Sequence, residues 1–180
     1  MARDTRSILI RAAAEIIASQ GVQNLTMDAV AAKAGVSKGT IFYQFISKEG
    51  LITGMMDELI RIIEDRIRKV QQNDNAPGSW LRGFIASSIV QEDSSDELQS
   101  LSFALVAAVS NDLKLLEPLI ARQGDWRRSI LADGIDPITA HIVRLAADGL
   151  WFNDIMGTPV LDADERKAVL DRLIHLTTQT

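Results

Sequence analysis

Apolar side chains recur at i, i+3 and i+4 spacing along nearly the whole chain, and no stretch alternates at period two between hairpin turns. Such a chain can hide its apolar stripes only by packing helix on helix, so the expected class is all-α, with about nine helices. The first is expected from about Thr5 to Gln20, with Ile8, Ala12, Ile16 and Ile17 on one stripe and Gly21 as its stop. Thr26 is placed to cap a short helix, Met27 to Ala34, that Gly35 ends. Ser37 caps Lys38 to about Phe45, and Ser47 caps a longer helix from Lys48 to about Val70. Gln71 to Gly78 reads as a loop. Further helices are expected near 78–91, 95–111, 118–132, 137–156 and 162–177, with Gly124 placed to interrupt the third of these. Asp162 and Glu165 form a capping-box pair for the last. The expected domains are 1–47 and 48–180, joined by helix 48–70.

Composition excludes several classes. Cysteine is absent, which removes disulfide scaffolds, thiolate metal sites and a cysteine nucleophile, and fits a reducing cytoplasm. The N-terminal Met-Ala-Arg-Asp-Thr-Arg leads into no apolar signal core. The longest uncharged run, Leu98 to Asn111, has 14 residues, short of the ~20 apolar residues that span a bilayer. The expected location is therefore cytoplasmic, with no membrane partner. The net charge of −5 is uneven, because residues 1–50 carry +2 and the remainder −7. A mildly basic head on an acidic body suits a polyanion partner for the head alone.

The informative stretch is Thr26 to Lys48, TMDAVAAKAGVSKGTIFYQFISK. Two short helices meet at Ala-Gly-Val, and Gly35 suits the tight turn because glycine accepts positive φ. Val30, Ala31 and Ala34 are small enough for a close crossing, and Ile41 and Phe45, at i and i+4, anchor the second helix inward. The outer face is left with Lys38, Gly39, Thr40, Tyr43 and Gln44, with Phe42 at its edge. Rings beside hydroxyl, amide and ammonium groups suit a DNA major groove, where they meet thymine methyls, base edges and phosphates.

This order of residues, a first helix and then Thr-Met-Asp-x-Val-Ala-x-x-Ala-Gly-Val-Ser-Lys-Gly-Thr-Ile-Phe-Tyr-Gln-Phe-x-Ser-Lys-Glu-x-Leu, resembles the DNA-binding head of TetR-family transcriptional regulators over roughly residues 8–52. The resemblance implies a homodimer of two-domain, all-α subunits. Their three-helix heads would sit in successive major grooves of a palindromic operator, and a C-terminal domain would make the dimer and enclose a small-molecule pocket. It assigns DNA contact to Thr26, Ser37, Lys38, Gly39, Thr40, Phe42, Tyr43, Gln44 and Lys48. Phe42 and Gln44 depart from the family's frequent tyrosine and histidine, changes that bear on which sequence is read. Arg3, Arg6 and Arg11 are either a solvated face or, for Arg3 or Arg6, an arm near the DNA backbone.

No cofactor is expected, and an enzyme is the weaker alternative. His141 and His175 stand alone, and phosphate-loop, dinucleotide and nucleophile-elbow motifs are missing. A second alternative is a DNA-binding protein without a ligand, architectural or constitutive. The helix after Pro137 is apolar on more than one face, through Ile138, Ile142, Val143, Leu145, Leu150, Trp151, Phe152, Ile155 and Met156. It must therefore bury more than one face, one in its own subunit and one against a partner's helices, together with the last helix. For a ligand the candidates are Phe84, Phe103, Trp126, Asp148, Trp151 and Met156, which together suit a lipophilic or cationic molecule. The expected function is a ligand-released repressor, with efflux or detoxification genes as its expected target class.

Overall fold

Nine α-helices and two short 3-10 turns build the computed structural model, which describes residues 2–89, 97–110 and 112–179, the side chains of 2–4 and 97 excepted, and no strand occurs among the described residues. The expected helix start near 95 and the Arg3 side chain lie outside those residues, and the helices expected to end near 91 and 111 end at Ser88 and Val109. In chain order the helices are α1 (Ala2–Gln20), α2 (Met27–Ala34), α3 (Lys38–Gln44), α4 (Lys48–Gln71), α5 (Ser79–Ser88), α6 (Glu97–Val109), α7 (Glu117–Leu131), α8 (Pro137–Met156) and α9 (Ala163–Leu176). The 3-10 turns are Val22–Asn24 and Leu113–Leu116.

The chain forms two compact units, Met1–Ile60 with Ser95–Ile120 and Arg61–Ser94 with Ala121–Thr180. In the first, α1 packs on both α2 and α6, and α2 packs on α3. Because α1 has neighbours on two sides, Leu9, Ile10, Ala13 and Ile17 are buried along with Ala12 and Ile16, while Ile8 is exposed. That departs from the expected stripe, which assumed one buried face. Gly54 of α4 lies against the Phe45 ring and the Arg6 guanidinium, and the latter stands 4.6 Å over that ring. Arg6 is therefore part of α1 and its packing, not of a free arm.

In the second unit α5 packs on α8 and α9, which also pack on each other. Phe84 is stacked on Trp80 at 5.6 Å and meets Trp126 edge-on at 6.1 Å. α7 continues through Gly124 without a break, because Arg122 and Trp126 on either side of it are both tied to Glu64 of α4. Gly83 of α5 sits so close to α4 that a Cβ there would lie 2.7 Å from the Ile67 Cα and 3.0 Å from its carbonyl oxygen. The N-terminus of α5 has Gly78 at the cap position and so no side chain of its own to bind the free N–H groups. Asp133, 53 residues away, supplies it: its two carboxylate oxygens accept from the Trp80 and Leu81 N–H groups at 3.0 Å each. Burial pushes the Asp133 carboxyl above its ordinary value, outweighing those two N–H donors. Arg82 closes the same corner, donating to Asp74 at 2.6 Å and to the Thr177 carbonyl and hydroxyl at 3.1 Å.

Two outcomes follow from this packing. Gly83→Ala gains helix propensity, yet the neighbour it strikes is backbone, so the variant loses about 1–3 kcal/mol and several degrees of Tm in a thermal melt. Asp133→Asn keeps one acceptor and loses about 1–2 kcal/mol. The folded chain holds the Asp133 proton more tightly than the unfolded chain does. The carboxyl's contribution is thus fully present below the ordinary carboxylate pKa and is lost as pH rises through the raised one. Denaturant titrations from acid to neutral pH should show the gap between wild type and Asp133→Asn narrowing as pH rises.

Candidate nucleic-acid interface and ligand cleft

The turn between α2 and α3 is assembled from short-range chemistry. The Ala29 N–H donates to Thr26 Oγ1 at 3.1 Å and opens α2. Gly35 closes it at φ 67°, where the Gly35 and Val36 N–H groups return to the Ala32 and Ala31 carbonyls. Ser37 then caps α3 by accepting from the Thr40 N–H at 3.1 Å, and its hydroxyl lies 2.8 Å from that of Thr40. Ile41 and Phe45 are buried, as the i, i+4 spacing predicts, so the rest of α3 is turned outward. Tyr43 is 84% exposed and Phe42 41%. Gly39 has open space around it apart from the Ser37 hydroxyl, and Gln44 is half-buried.

Two lysines of this face are already engaged. Lys38 Nζ contacts both carboxylate oxygens of Asp28, at 2.8 and 2.9 Å, with both side chains largely exposed. Lys48, at the start of α4, donates to the Val22 carbonyl at 2.9 Å and leaves two ammonium protons for another acceptor. Ile46, between α3 and α4, is 90% exposed beside these residues. In the sequence it is a variable position of the motif, although an isoleucine following a buried Phe45 in a three-residue connection has nowhere inward to go.

The ligand candidates are not gathered into one place. Phe84 and Trp126 touch, and Asp148 is joined to them through Arg144, which it binds at 2.8 Å. The Arg144 guanidinium is buried 4.0 Å over the Phe84 ring and 5.2 Å from that of Trp126, so the chain's own cation fills this aromatic corner. Burial pushes the Asp148 carboxyl up even beside that arginine. Trp151 is half-buried, Met156 is exposed, and Phe103 is exposed on α6 of the other unit.

A cleft of about 370 Å³ opens between α4, α5 and α7 of the second unit. Its apolar walls are Ile67, Trp80 and Trp126, and its polar ones Glu64, Arg68, Gln71, Arg122, Asp125 and Ser129. Arg122 Nε and Nη2 donate to the two oxygens of Glu64 at 2.5 and 2.8 Å, and Trp126 Nε1 donates to the first of them at 3.0 Å. These bonds, with a further one to Asp125, hold the Arg122 guanidinium above its usual pKa. Of the six ligand candidates, Trp126 lines this cleft. Glu64 and Arg122 carried no local signal, being 58 residues apart. Arg144 did, as a lone charge among Ile142, Val143, Leu145 and Ala146 with an acid four residues on.

Among the described residues no group of three or more His, Asp or Glu is arranged to hold a metal ion, and no helix is long and apolar enough to cross a membrane. Residues 9–55 match the family profile described as bacterial regulatory proteins, tetR family, and residues 78–178 match the tetracyclin repressor-like C-terminal domain. The transcriptional regulator BetI of Brucella suis is 27% identical over 181 residues, covering 95% of this chain and 90% of that protein. The crystal structure of a transcriptional regulator from Rhodococcus sp. Rha1 superposes with a TM-score of 0.74 at 18% identity, covering 96% and 95% of the two chains. That of the multidrug binding protein EbrR complexed with ethidium gives 0.60 at 23% identity, covering 94% and 98%. With a capped helix-turn-helix at its start and the family's C-terminal domain across more than half its length, the chain belongs to the TetR family of transcriptional regulators, which are DNA-binding proteins and not enzymes.

Proposed function

We propose that the chain is a cytoplasmic, ligand-responsive repressor that binds a palindromic operator as a homodimer. On this reading residues 1–47 read the operator, while 48–180 receive a small lipophilic or cationic molecule and make the dimer. The observation that carries it is α4, one unbroken helix with Lys48 at its first residue and Glu64, Ile67, Arg68 and Gln71 in the cleft. A molecule that enters the cleft and favours one placement of α4 shifts the head that begins the same helix. A differential affinity of ~1–3 kcal/mol between the two states lowers operator affinity ~5–150-fold. The likeness to EbrR, a multidrug binding protein, supports efflux or detoxification genes as the target class.

The DNA contacts follow from the face described above. Thr26, Ser37 and Thr40 offer hydroxyls to phosphates, Gly39 lets the backbone approach, and Lys38 and Lys48 add charge. Phe42, Tyr43 and Gln44 face base edges. The dimer is supported by α8, whose exposed Ile138, Ile142, Leu145, Phe152 and Met156 form a stripe with alternating steps of four, three, seven and four residues. The gap of seven is filled by Gly149, where a Cβ would meet nothing within 4 Å. A stripe at this period with a bare glycine at its centre fits close packing against the same helix of a second copy. Such a dimer holds two heads at the ~34–36 Å of successive major grooves.

Genomic fragments selected with purified protein, with Lys38→Ala/Tyr43→Ala alongside, should yield a palindromic site that the variant does not retain. On that site Lys48→Ala weakens all sequences alike and lowers the salt slope by about 1. Gln44→Ala instead relaxes one position per half-site, by ~1–3 kcal/mol. If Gln44→Ala weakens every sequence equally, it binds phosphate. Ile142→Glu/Leu145→Glu should sediment as a folded monomer with operator binding lost. A variant that stays dimeric places the interface elsewhere.

A further inference from the structure

Arg144 and Arg122 are both ion-paired in the second unit, and they differ in exposure. Arg144 is buried, over Phe84 and Trp126, and is bound to Asp148. Arg122 has a side chain 40% exposed, while the Glu64 side chain it binds is 23% exposed. Removing Arg122 from Glu64 leaves the arginine in water with Asp125, to which it already donates at 3.0 Å. Glu64 is left with one donor, the Trp126 indole N–H, and a less solvated charge. The arginine can leave at little cost, but the carboxylate requires a replacement.

We infer that Glu64 is the receptor for a planar cation bearing paired N–H donors, an amidinium or guanidinium carried on a small aromatic group, and that Arg122 occupies this place until such a ligand displaces it. The inference rests on the reading of the cleft as the effector site and names the chemistry that site selects. The bidentate geometry is the first support. Two N–H groups of one plane reach the two oxygens of Glu64 at 2.5 and 2.8 Å, a match that a rigid N–H fork satisfies and a quaternary ammonium, having no N–H, does not. Orientation is the second. Trp126 Nε1 stays on Glu64 whichever cation is bound, so the carboxylate remains aimed into the cleft. Size and lining are the third. About 370 Å³ with Ile67, Trp80 and Trp126 in the walls admits a compound of one or two rings beside Glu64.

The test compares three probes of one ring each: benzamidine, phenyltrimethylammonium with the same charge and no N–H, and benzamide with N–H and no charge. Binding to the purified protein is read by calorimetry and tryptophan fluorescence, with circular dichroism confirming that each variant is folded. Benzamidine should bind saturably and at least tenfold more tightly than either comparison probe. Glu64→Gln should weaken it tenfold or more. Arg122→Gln, which removes the internal competitor, should tighten it several-fold, an effect that a purely structural ion pair does not produce. Equal binding of benzamidine and phenyltrimethylammonium, indifference to Glu64→Gln, or weaker benzamidine binding in Arg122→Gln each overturns the inference. Operator release separates it from the reading beneath it. A neutral or quaternary compound that releases the operator equally from wild type and Glu64→Gln leaves the ligand-responsive repressor standing and removes the amidinium. Glu64-dependent binding of benzamidine with operator affinity unchanged does the reverse.

Discussion

The structure depends on α4 remaining one continuous helix, because both compact units draw side chains from it. Its first half is apolar and deeply buried, with Leu51, Ile52, Met55, Met56, Leu59 and Ile60. Its second half is mostly charged, and there the attachment is of another kind. Ile67 is buried with its backbone against Gly83, and Glu64 is held by Arg122 and Trp126. Nonpolar contact is non-directional and tolerates small rotations, whereas a backbone approach and a bidentate ion pair fix position and rotation together. The second half is therefore positioned by a few specific contacts. A helix end held in that way is also one that a small change at those contacts can move.

How much of this was legible in the sequence depends on the range of the interaction responsible. Thr26, Gly35 and Ser37 act within three to five residues, and the burial of Ile41 and Phe45 follows from helical period alone. Helix α3 could accordingly be placed and its outer face named. The Asp162 and Glu165 capping box is equally local and forms as read. The contacts that shape the second unit are of the other kind. Arg82 reaches Thr177 across 95 residues, Asp133 reaches Trp80 across 53, and Arg122 reaches Glu64 across 58. Arg82, Asp133, Arg122 and Glu64, each taken alone, look like solvated charges. Large apolar residues have the same defect, since size says that a side chain packs but not where. Phe84 and Trp126 therefore came together while Phe103, grouped with them by composition, went to a different unit.

The aromatic corner also shows why burial of an arginine should be read from its partners and not from its charge. Arg144 satisfies two demands, covering Phe84 and meeting Asp148, and withdrawing it would strand an acid that burial already pushes toward its neutral form. Removing one member of such a pair costs far more than the pair contributes. It is a fixed element of the core, with its guanidinium already over the Phe84 ring. Asp148 thus holds a cation of the chain itself, and that cation is buried, whereas the arginine on Glu64 is 40% exposed.

The head shows a comparable restraint of charge. Residues 1–50 carry only +2, and Lys38 is already matched by Asp28 at 2.8 Å. Sequence-independent attraction to DNA grows with the number of phosphates neutralised, so a head of this kind gains little from charge alone. On the proposed reading, its affinity comes from fit, through exposed Tyr43, Phe42 and Ile46, through the Gln44 amide, and through two heads held at the spacing of the groove. Fit is lost faster than charge attraction when spacing changes, because a phosphate contact tolerates an ångström or more and a base-edge contact does not. On the proposed reading, this is why a coupling of only ~1–3 kcal/mol at the cleft is enough to empty the operator: little non-specific binding remains to hold the protein once the two heads no longer match the groove.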